Sequence, residues 1–136
     1  MTSLMIASHG HLASGMQSAL QLLTGLGKQV TALDAYVDQG DDRPQIAAFV
    51  AQASRPAVIF TDLYGGSVNQ DVVRAVGDTP DVFVVSQVNL AVVLAVLLDS
   101  EPLDAARLDA LIAQSQVRRV TLAATGDGGS TADFFD

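Results

Sequence analysis

Ser3-Leu-Met-Ile-Ala-Ser8-His9-Gly10-His11 is an apolar run that stops abruptly at a histidine and a glycine. Residues 4–7 show no helical period, which is typical of a short strand buried on both faces of a parallel sheet. From residue 12 to residue 23, apolar residues recur at spacings of three and four, and this predicts an amphipathic helix. His9 is therefore expected on a turn between a strand and a helix. In an open α/β sheet, ligands bind at such turns, outside the carboxyl ends of the strands.

The same alternation of strand and helix continues along the chain. Strands are predicted at residues 30–35, 57–60, 82–85 and 117–122, and helices near residues 44–50, 67–76, 89–98 and 103–114. This alternation predicts an α/β fold with an open, mostly parallel sheet and helices on both faces. With the common strand order 2-1-3-4, the crevice opens between the first and third strands, so His9 and Asp62 should face each other. One domain is expected over residues 1–125, followed by an acidic, flexible tail at residues 126–136.

Length and composition restrict the class of protein. The chain has 136 residues, of which 49% are hydrophobic and 16% charged, and this favours one compact domain with a real core. The net charge of −8 argues against a surface for nucleic acid or anionic membranes. The absence of cysteine excludes disulfides, thiol catalysis and a metal site built from cysteines. Residues 90–98 form the longest apolar run, which is too short to span a bilayer, so a cytoplasmic protein is expected.

His9 and Asp62 together indicate chemistry at an imidazole ring. A carboxylate that accepts from one ring nitrogen fixes the tautomer and leaves the lone pair of the other nitrogen free to attack or bind. Gly65-Gly66-Ser67 opens the next helix, where glycine lets backbone N–H groups approach a ligand and the helix N-terminus favours an anion. Ser67 could also cap that helix. The combination predicts a phosphoryl group carried on histidine. Without a P-loop sequence, the chain has no evident means of using ATP.

Three blocks of sequence occur in a characteristic order. They are Ser8-His9-Gly10 with Ala13 and Gly15, then Asp62-Leu-Tyr-Gly65-Gly66-Ser67-Val-Asn69, and then Val88-Asn89-Leu90. Together these blocks resemble the EIIA component of the mannose-family sugar phosphotransferase systems.

This resemblance implies a role for each site residue and a set of partners. His9 would take a phosphoryl group from the phosphocarrier protein HPr and pass it to an EIIB domain, without a metal or organic cofactor. Asp62 would hold the ring nitrogen that is not phosphorylated, and Gly66 and Ser67 would line the phosphate site. The turn itself adds Gly65 to the predicted phosphate-binding residues, through the backbone N–H groups from Gly65 to Ser67. The family usually forms homodimers that exchange a C-terminal strand, and residues 118–122 occupy that position here.

Other classes of protein fit parts of this pattern. A phosphocarrier that feeds a dihydroxyacetone kinase shares the EIIA-like fold and an N-terminal histidine, but its usual turn after the aspartate is shorter. Residues two apart in an extended segment point the same way, so His9, His11 and Asp62 could form the metal site of a hydrolase. A serine hydrolase on Ser67 would lack the second glycine of a nucleophile elbow. A regulatory module that only senses phosphorylation would carry the same site. Considered individually, His11 is expected to be structural and Asn69 to be a solvated residue of a first helical turn.

Overall fold

Strands and helices alternate along residues 2–122, the part of the chain that the computed structural model describes. The elements are β1 (Ser3–His9), α1 (Leu12–Thr24), β2 (Val30–Ala35), α2 (Arg43–Gln52), β3 (Ala57–Thr61), α3 (Ser67–Val76), β4 (Val82–Val85), α4 (Leu90–Leu98) and α5 (Ala105–Gln114). The predicted elements up to α5 are confirmed, with shifts of one or two residues at some ends. A short 3-10 helix before β2, Gly27–Gln29, was not predicted.

The four strands form one parallel sheet in the order β2-β1-β3-β4. Ile6 in the middle of β1 pairs with Ala32 of β2 on one side and with Phe60 of β3 on the other. The register also pairs Ala7 with Thr61, so β1 and β3 end next to each other at the same edge of the sheet. The predicted α/β fold and strand order are therefore confirmed.

The core lies on both faces of this sheet, because side chains alternate between the two faces along each strand. One face packs against α1, α4 and α5, and its strand residues include Leu4, Ile6, Val58 and Phe60. The other face packs against α2 and α3, and its strand residues include Met5, Ala7, Ala57 and Ile59. Burial on two faces explains why β1 and β3 are continuous apolar runs in the sequence. It also gives the carboxyl ends of these strands a rigid base.

The helix α4 is apolar on every side. Val92, Val93 and Val96 are buried in the core, whereas Leu98 at its end is 59% exposed. Asn89 caps the helix: its Oδ1 accepts from the Val92 N–H at 2.8 Å. Despite this composition α4 has only nine residues, and no helix within residues 2–122 has the length and hydropathy needed to cross a membrane.

The predicted last strand, residues 117–122, differs from the structure. The segment belongs to no strand of the described chain, and Val117 and Leu122 are 91% and 80% exposed. A strand is stabilised by hydrogen bonds to a neighbour and by burial of one face, and among residues 2–122 the segment has neither. Strand exchange between two subunits stays a prediction. The expected domain end at residue 125 and the expected tail at residues 126–136 lie outside the described residues.

Candidate active site

His9 and Asp62 meet at the carboxyl ends of β1 and β3. A single oxygen of Asp62, Oδ2, lies 2.8 Å from the backbone nitrogen of His9 and 2.8 Å from its ring Nδ1. The other oxygen, Oδ1, accepts from the N–H of Leu63 at 3.0 Å. An ionised carboxylate only accepts hydrogen bonds, so the proton of the neutral ring lies on Nδ1 and a lone pair is left on Nε2. The expected approach of His9 and Asp62 across the crevice is confirmed.

Asp62 keeps its negative charge although it is largely buried. Its side chain is 10% exposed, and this burial raises the pKa of the carboxyl by disfavouring the charged form. Hydrogen bonds from the backbone and the ring of His9, together with attraction to that ring, outweigh burial and hold the pKa of Asp62 below its usual range. The carboxylate is consequently ionised at neutral pH and orients the imidazole as an acceptor.

The free nitrogen of His9 faces a hydroxyl group. Ser67 Oγ lies 3.3 Å from His9 Nε2 and accepts a hydrogen bond from the Tyr36 hydroxyl at 2.8 Å. The interpretation of Ser67 as a helix cap is wrong, because Gly66 holds the N-cap position and Ser67 is the first residue of α3. The Ser67 side chain makes no capping hydrogen bond. Its hydroxyl points to the imidazole instead.

Gly65 and Gly66 give the turn between β3 and α3 its shape. Gly65 has a φ of +75°, in the left-handed region that side chains disfavour. A Cβ atom on Gly66 would lie 3.2 Å from Leu63 Cβ and 3.3 Å from the Leu63 carbonyl oxygen, so the close approach to Leu63 within the turn favours glycine here. The Gly66 N–H donates to the Leu63 carbonyl at 3.1 Å and closes the turn. The turn thereby places the positive end of the α3 dipole next to His9.

Buried polar side chains fasten both strand ends to the helices that follow. Ser8 Oγ accepts from the Ala13 N–H at 2.8 Å and ties β1 to α1, while the Thr61 hydroxyl donates to Asn69 Oδ1 at 2.8 Å and ties β3 to α3. Ser8 and Thr61 are completely buried, and Asn69 is only 9% exposed. The expectation that Asn69 is solvated is wrong. Because it lies two residues into α3, its side chain turns inward to the end of β3.

His11 belongs to a separate cluster at the same edge of the sheet. Its Nδ1 lies 3.0 Å from Asp34 Oδ2, and Asp34 also accepts from the backbone N–H of Ser14 at 2.9 Å and from its hydroxyl at 2.6 Å. Burial raises the pKa of Asp34, but the hydrogen bonds from Ser14 and His11 hold it below its usual range. Within residues 2–122, no three or more His, Asp or Glu side chains are placed to hold a metal ion. His9, His11 and Asp62 therefore do not form the metal site considered above.

Tyr36 is a site residue that the sequence did not reveal. The sequence assigned it to the start of a polar loop, but its ring centroid lies 5.1 Å from that of His9, at an interplanar angle of 35°. Its hydroxyl reaches Ser67 on the opposite side of the crevice. A signal was available, because an aromatic residue directly follows β2, the strand next to β1 in the predicted order.

The model of a protein family, EIIA-man, described as the fructose IIA component of the phosphotransferase system, matches residues 3–116. The chain belongs to this EIIA family. The resemblance that three blocks of sequence predicted is thus confirmed. A comparison with curated protein sequences found no significant match.

Solved structures of EIIA proteins share the fold. A Klebsiella pneumoniae protein described as a phosphoenolpyruvate-dependent sugar phosphotransferase system permease is 27% identical, with a TM-score of 0.69 over 84% of this chain and 82% of that one. The mannose/sorbose-specific IIA subunit from Enterococcus faecalis is 23% identical, with a TM-score of 0.71 over 89% and 96%. A IIA protein associated with the fucose utilization operon of Streptococcus pneumoniae is 17% identical, with a TM-score of 0.72 over 86% and 92%. At the two lower identities, the likeness shows the fold alone.

Proposed function

We propose that this EIIA protein is a cytoplasmic phosphohistidine carrier. His9 accepts a phosphoryl group from HPr and passes it to an EIIB component, in a chain of transfers that takes up and phosphorylates a sugar. The observation that carries this proposal is the arrangement of the His9 ring. Its Nδ1 is held by Asp62, and its Nε2 faces Ser67 at the start of α3. Membership of the EIIA family supports the same chemistry.

The transfer step needs a nucleophile and a fixed geometry, and His9 has both. The Nε2 lone pair attacks the phosphorus atom in line with the nitrogen of the donor's phosphohistidine. The N–P bond to the donor breaks as the bond to Nε2 forms, and the Nδ1 proton stays on the ring, hydrogen-bonded to Asp62. The Asp62 carboxylate offsets the positive charge that the ring gains. Positioning of this kind contributes much of the catalysis in phosphoryl transfer.

The turn that contains Gly65, Gly66 and Ser67 is proposed as the phosphate site. A phosphoryl group on Nε2 would lie against the Ser67 hydroxyl and the N-terminus of α3, where a hydrogen-bond donor and the helix dipole both favour negative charge. Gly65 supplies the left-handed turn, and Gly66 lets the backbone pass close to Leu63 at the start of α3. The site acts through these groups of the chain itself, and the proposal includes no metal or organic cofactor.

The proposal is tested by measuring the intact mass of the protein after incubation with phosphoenolpyruvate, enzyme I and HPr. We expect one phosphoryl group on the wild type and on His11→Ala, lost on brief acid treatment because a phosphohistidine is acid-labile. His9→Ala should stay unmodified. The His11→Ala variant is the matched control, since it removes the histidine of the neighbouring pair with Asp34. A His9→Ala variant labelled as fully as the wild type would overturn the proposal.

The donor and the acceptor are tested separately. Labelled protein should lose its phosphoryl group when a cognate EIIB component is added, and a carrier that only reports flux would keep it. If HPr does not label His9 but the donor chain of a dihydroxyacetone kinase does, the carrier serves that kinase instead. If neither donor labels the protein, the carrier proposal is contradicted.

A further inference from the structure

Tyr36 is held in an unusual backbone conformation beside the candidate site. It directly follows Ala35, the last residue of β2, and its φ of +64° lies in the left-handed region. This conformation is costly for a residue with a bulky side chain. The N–H of Gly10 donates to the Ala35 carbonyl at 2.9 Å, so the backbone preceding Tyr36 is fastened to the turn after His9. The fold therefore commits Tyr36 to a position over the crevice.

The direction of the hydrogen bonds links Tyr36 to the free nitrogen of His9. Because the Nδ1 proton is engaged by Asp62, Nε2 is an acceptor, and the Ser67 hydroxyl must donate to it. Ser67 Oγ then accepts, and the donor is the Tyr36 hydroxyl at 2.8 Å. The chain of donors runs from Tyr36 through Ser67 to the lone pair of Nε2. A hydroxyl that accepts one hydrogen bond becomes a better donor of another.

We propose that Tyr36 is a positioning residue for phosphoryl transfer at His9, acting through the Ser67 hydroxyl. This inference rests on the carrier function proposed above. Before transfer, Tyr36 fixes the oxygen of Ser67 next to Nε2. When Nε2 forms its bond to phosphorus, the Ser67 O–H rotates from the nitrogen to a phosphoryl oxygen, while Tyr36 continues to donate to Ser67 Oγ. No proton leaves either hydroxyl in this step.

The chain offers a matched control, since it has two tyrosines, Tyr36 and Tyr64. Tyr64 lies in the turn after Asp62, is 79% exposed, and its hydroxyl makes no hydrogen bond to the residues that the structure describes. The substitutions Tyr36→Phe and Tyr64→Phe each remove one hydroxyl and keep the ring. Only the first breaks the donor chain to His9.

The test is a double-substitution cycle measured with phosphorylated HPr as donor. We expect Tyr36→Phe to lower kcat about 3- to 10-fold with KM unchanged, as the loss of one hydrogen bond implies. Tyr64→Phe should match the wild type. Ser67→Ala should lower kcat further, and adding Tyr36→Phe to Ser67→Ala should have no additional effect, because Tyr36 acts through Ser67. A merely structural role or a role in docking would give additive effects or a change in KM, and either result would overturn the inference.

A second measurement separates this inference from the carrier function itself. In the unphosphorylated protein, the ¹⁵N chemical shift of His9 Nε2 reports whether that nitrogen accepts a hydrogen bond. Tyr36→Phe should move this signal and Tyr64→Phe should not, whether or not HPr is the donor. If the wild type accepts no phosphoryl group, the carrier function fails. If the wild type is labelled but Tyr36→Phe matches it in both kcat and chemical shift, only the role of Tyr36 fails.

Discussion

At the scale of single residues, the chain contains two histidine–aspartate pairs that differ in what faces the second ring nitrogen. His9 binds Asp62 at 2.8 Å and His11 binds Asp34 at 3.0 Å, in both cases through Nδ1. The His11 side chain is 76% exposed, whereas that of His9 is 42% exposed and its Nε2 meets Ser67. In both histidine–aspartate pairs, therefore, a carboxylate orients the imidazole ring. The groups around Nε2 single out His9.

The substitution Asp62→Asn should slow phosphoryl transfer by about 10- to 100-fold, the range found when the carboxylate that orients a metal-bound histidine is lost. An amide can donate to Nδ1 as well as accept from it, so it no longer fixes the tautomer, and it does not offset the charge on the phosphorylated ring. Single-turnover kinetics with phosphorylated HPr measure this effect, and circular dichroism checks that the fold is intact. Asp34→Asn makes the same change in the other pair and should transfer at the wild-type rate. Equal rates for the two variants would mean that Asp62 is only a turn residue.

At the scale of the elements, polar side chains at the helix starts hold the helices to their neighbours. Asn89 shows why an amide suits the start of α4. Its Oδ1 caps the helix by accepting from Val92, and its Nδ2 donates to the Ser115 carbonyl at 2.7 Å, just after the end of α5. One side chain thus joins the beginning of α4 to the end of α5. This dual contact gives a structural reason for asparagine in the third sequence block.

The substitution Asn89→Ala should lower the free energy of unfolding by about 1–2 kcal/mol, since it removes the cap and leaves the Ser115 carbonyl without its donor. Asn89→Asp keeps the cap but cannot donate to Ser115, so it should give an intermediate loss. Urea unfolding followed by circular dichroism provides the measurement. Asp104→Ala is a suitable comparison. Asp104 caps α5 by accepting from the Arg107 N–H, so this variant shows the effect of losing a helix cap alone. Asn89→Ala with wild-type stability would contradict the joining role.

The strands and helices also show how much of this fold and site can be predicted from the sequence. Apolar runs without helical period identified the four strands, and their alternation with helices was enough to bring His9 to Asp62. Tyr36 and Asn69 were missed because their roles depend on side-chain contacts between different elements of the fold. The phenol of Tyr36 meets Ser67, 31 positions away, and Asn69 turns inward only because Thr61 offers a buried hydroxyl. Periodicity and local propensity carry no information on such contacts.

At the scale of the whole molecule, the described residues end in a segment, 117–122, whose three apolar side chains are exposed. Val117, Val120 and Leu122 are 91%, 56% and 80% exposed, and residues 117–122 pair with no strand within residues 2–122. Exposed apolar side chains grouped in one segment are typical of an interface between chains. They suit the exchange of a strand between two copies of the protein. We therefore propose that the protein forms a dimer by exchange of this segment.

Deletion of residues 117–136 should convert a dimer into a monomer. Sedimentation velocity of the full chain and of a chain that lacks only residues 126–136 should show dimers, because both retain the segment proposed to be exchanged. The chain that lacks only residues 126–136 is the control, because it loses the acidic tail but keeps the segment proposed to be exchanged. A full chain that sediments as a monomer at concentrations near 100 μM, about 100-fold above a micromolar dissociation constant, would contradict strand exchange.

The proposed site of phosphorylation is a single atom, the Nε2 nitrogen of His9. The most direct test is heteronuclear NMR of the protein, prepared with ¹⁵N-labelled histidine rings and phosphorylated through HPr, in which coupling between ³¹P and ¹⁵N identifies the bonded nitrogen. We expect the phosphorus to couple to Nε2 of His9, while Nδ1 keeps its proton hydrogen-bonded to Asp62. A phosphoryl group on Nδ1 of His9, or on either ring nitrogen of His11, would contradict this expectation.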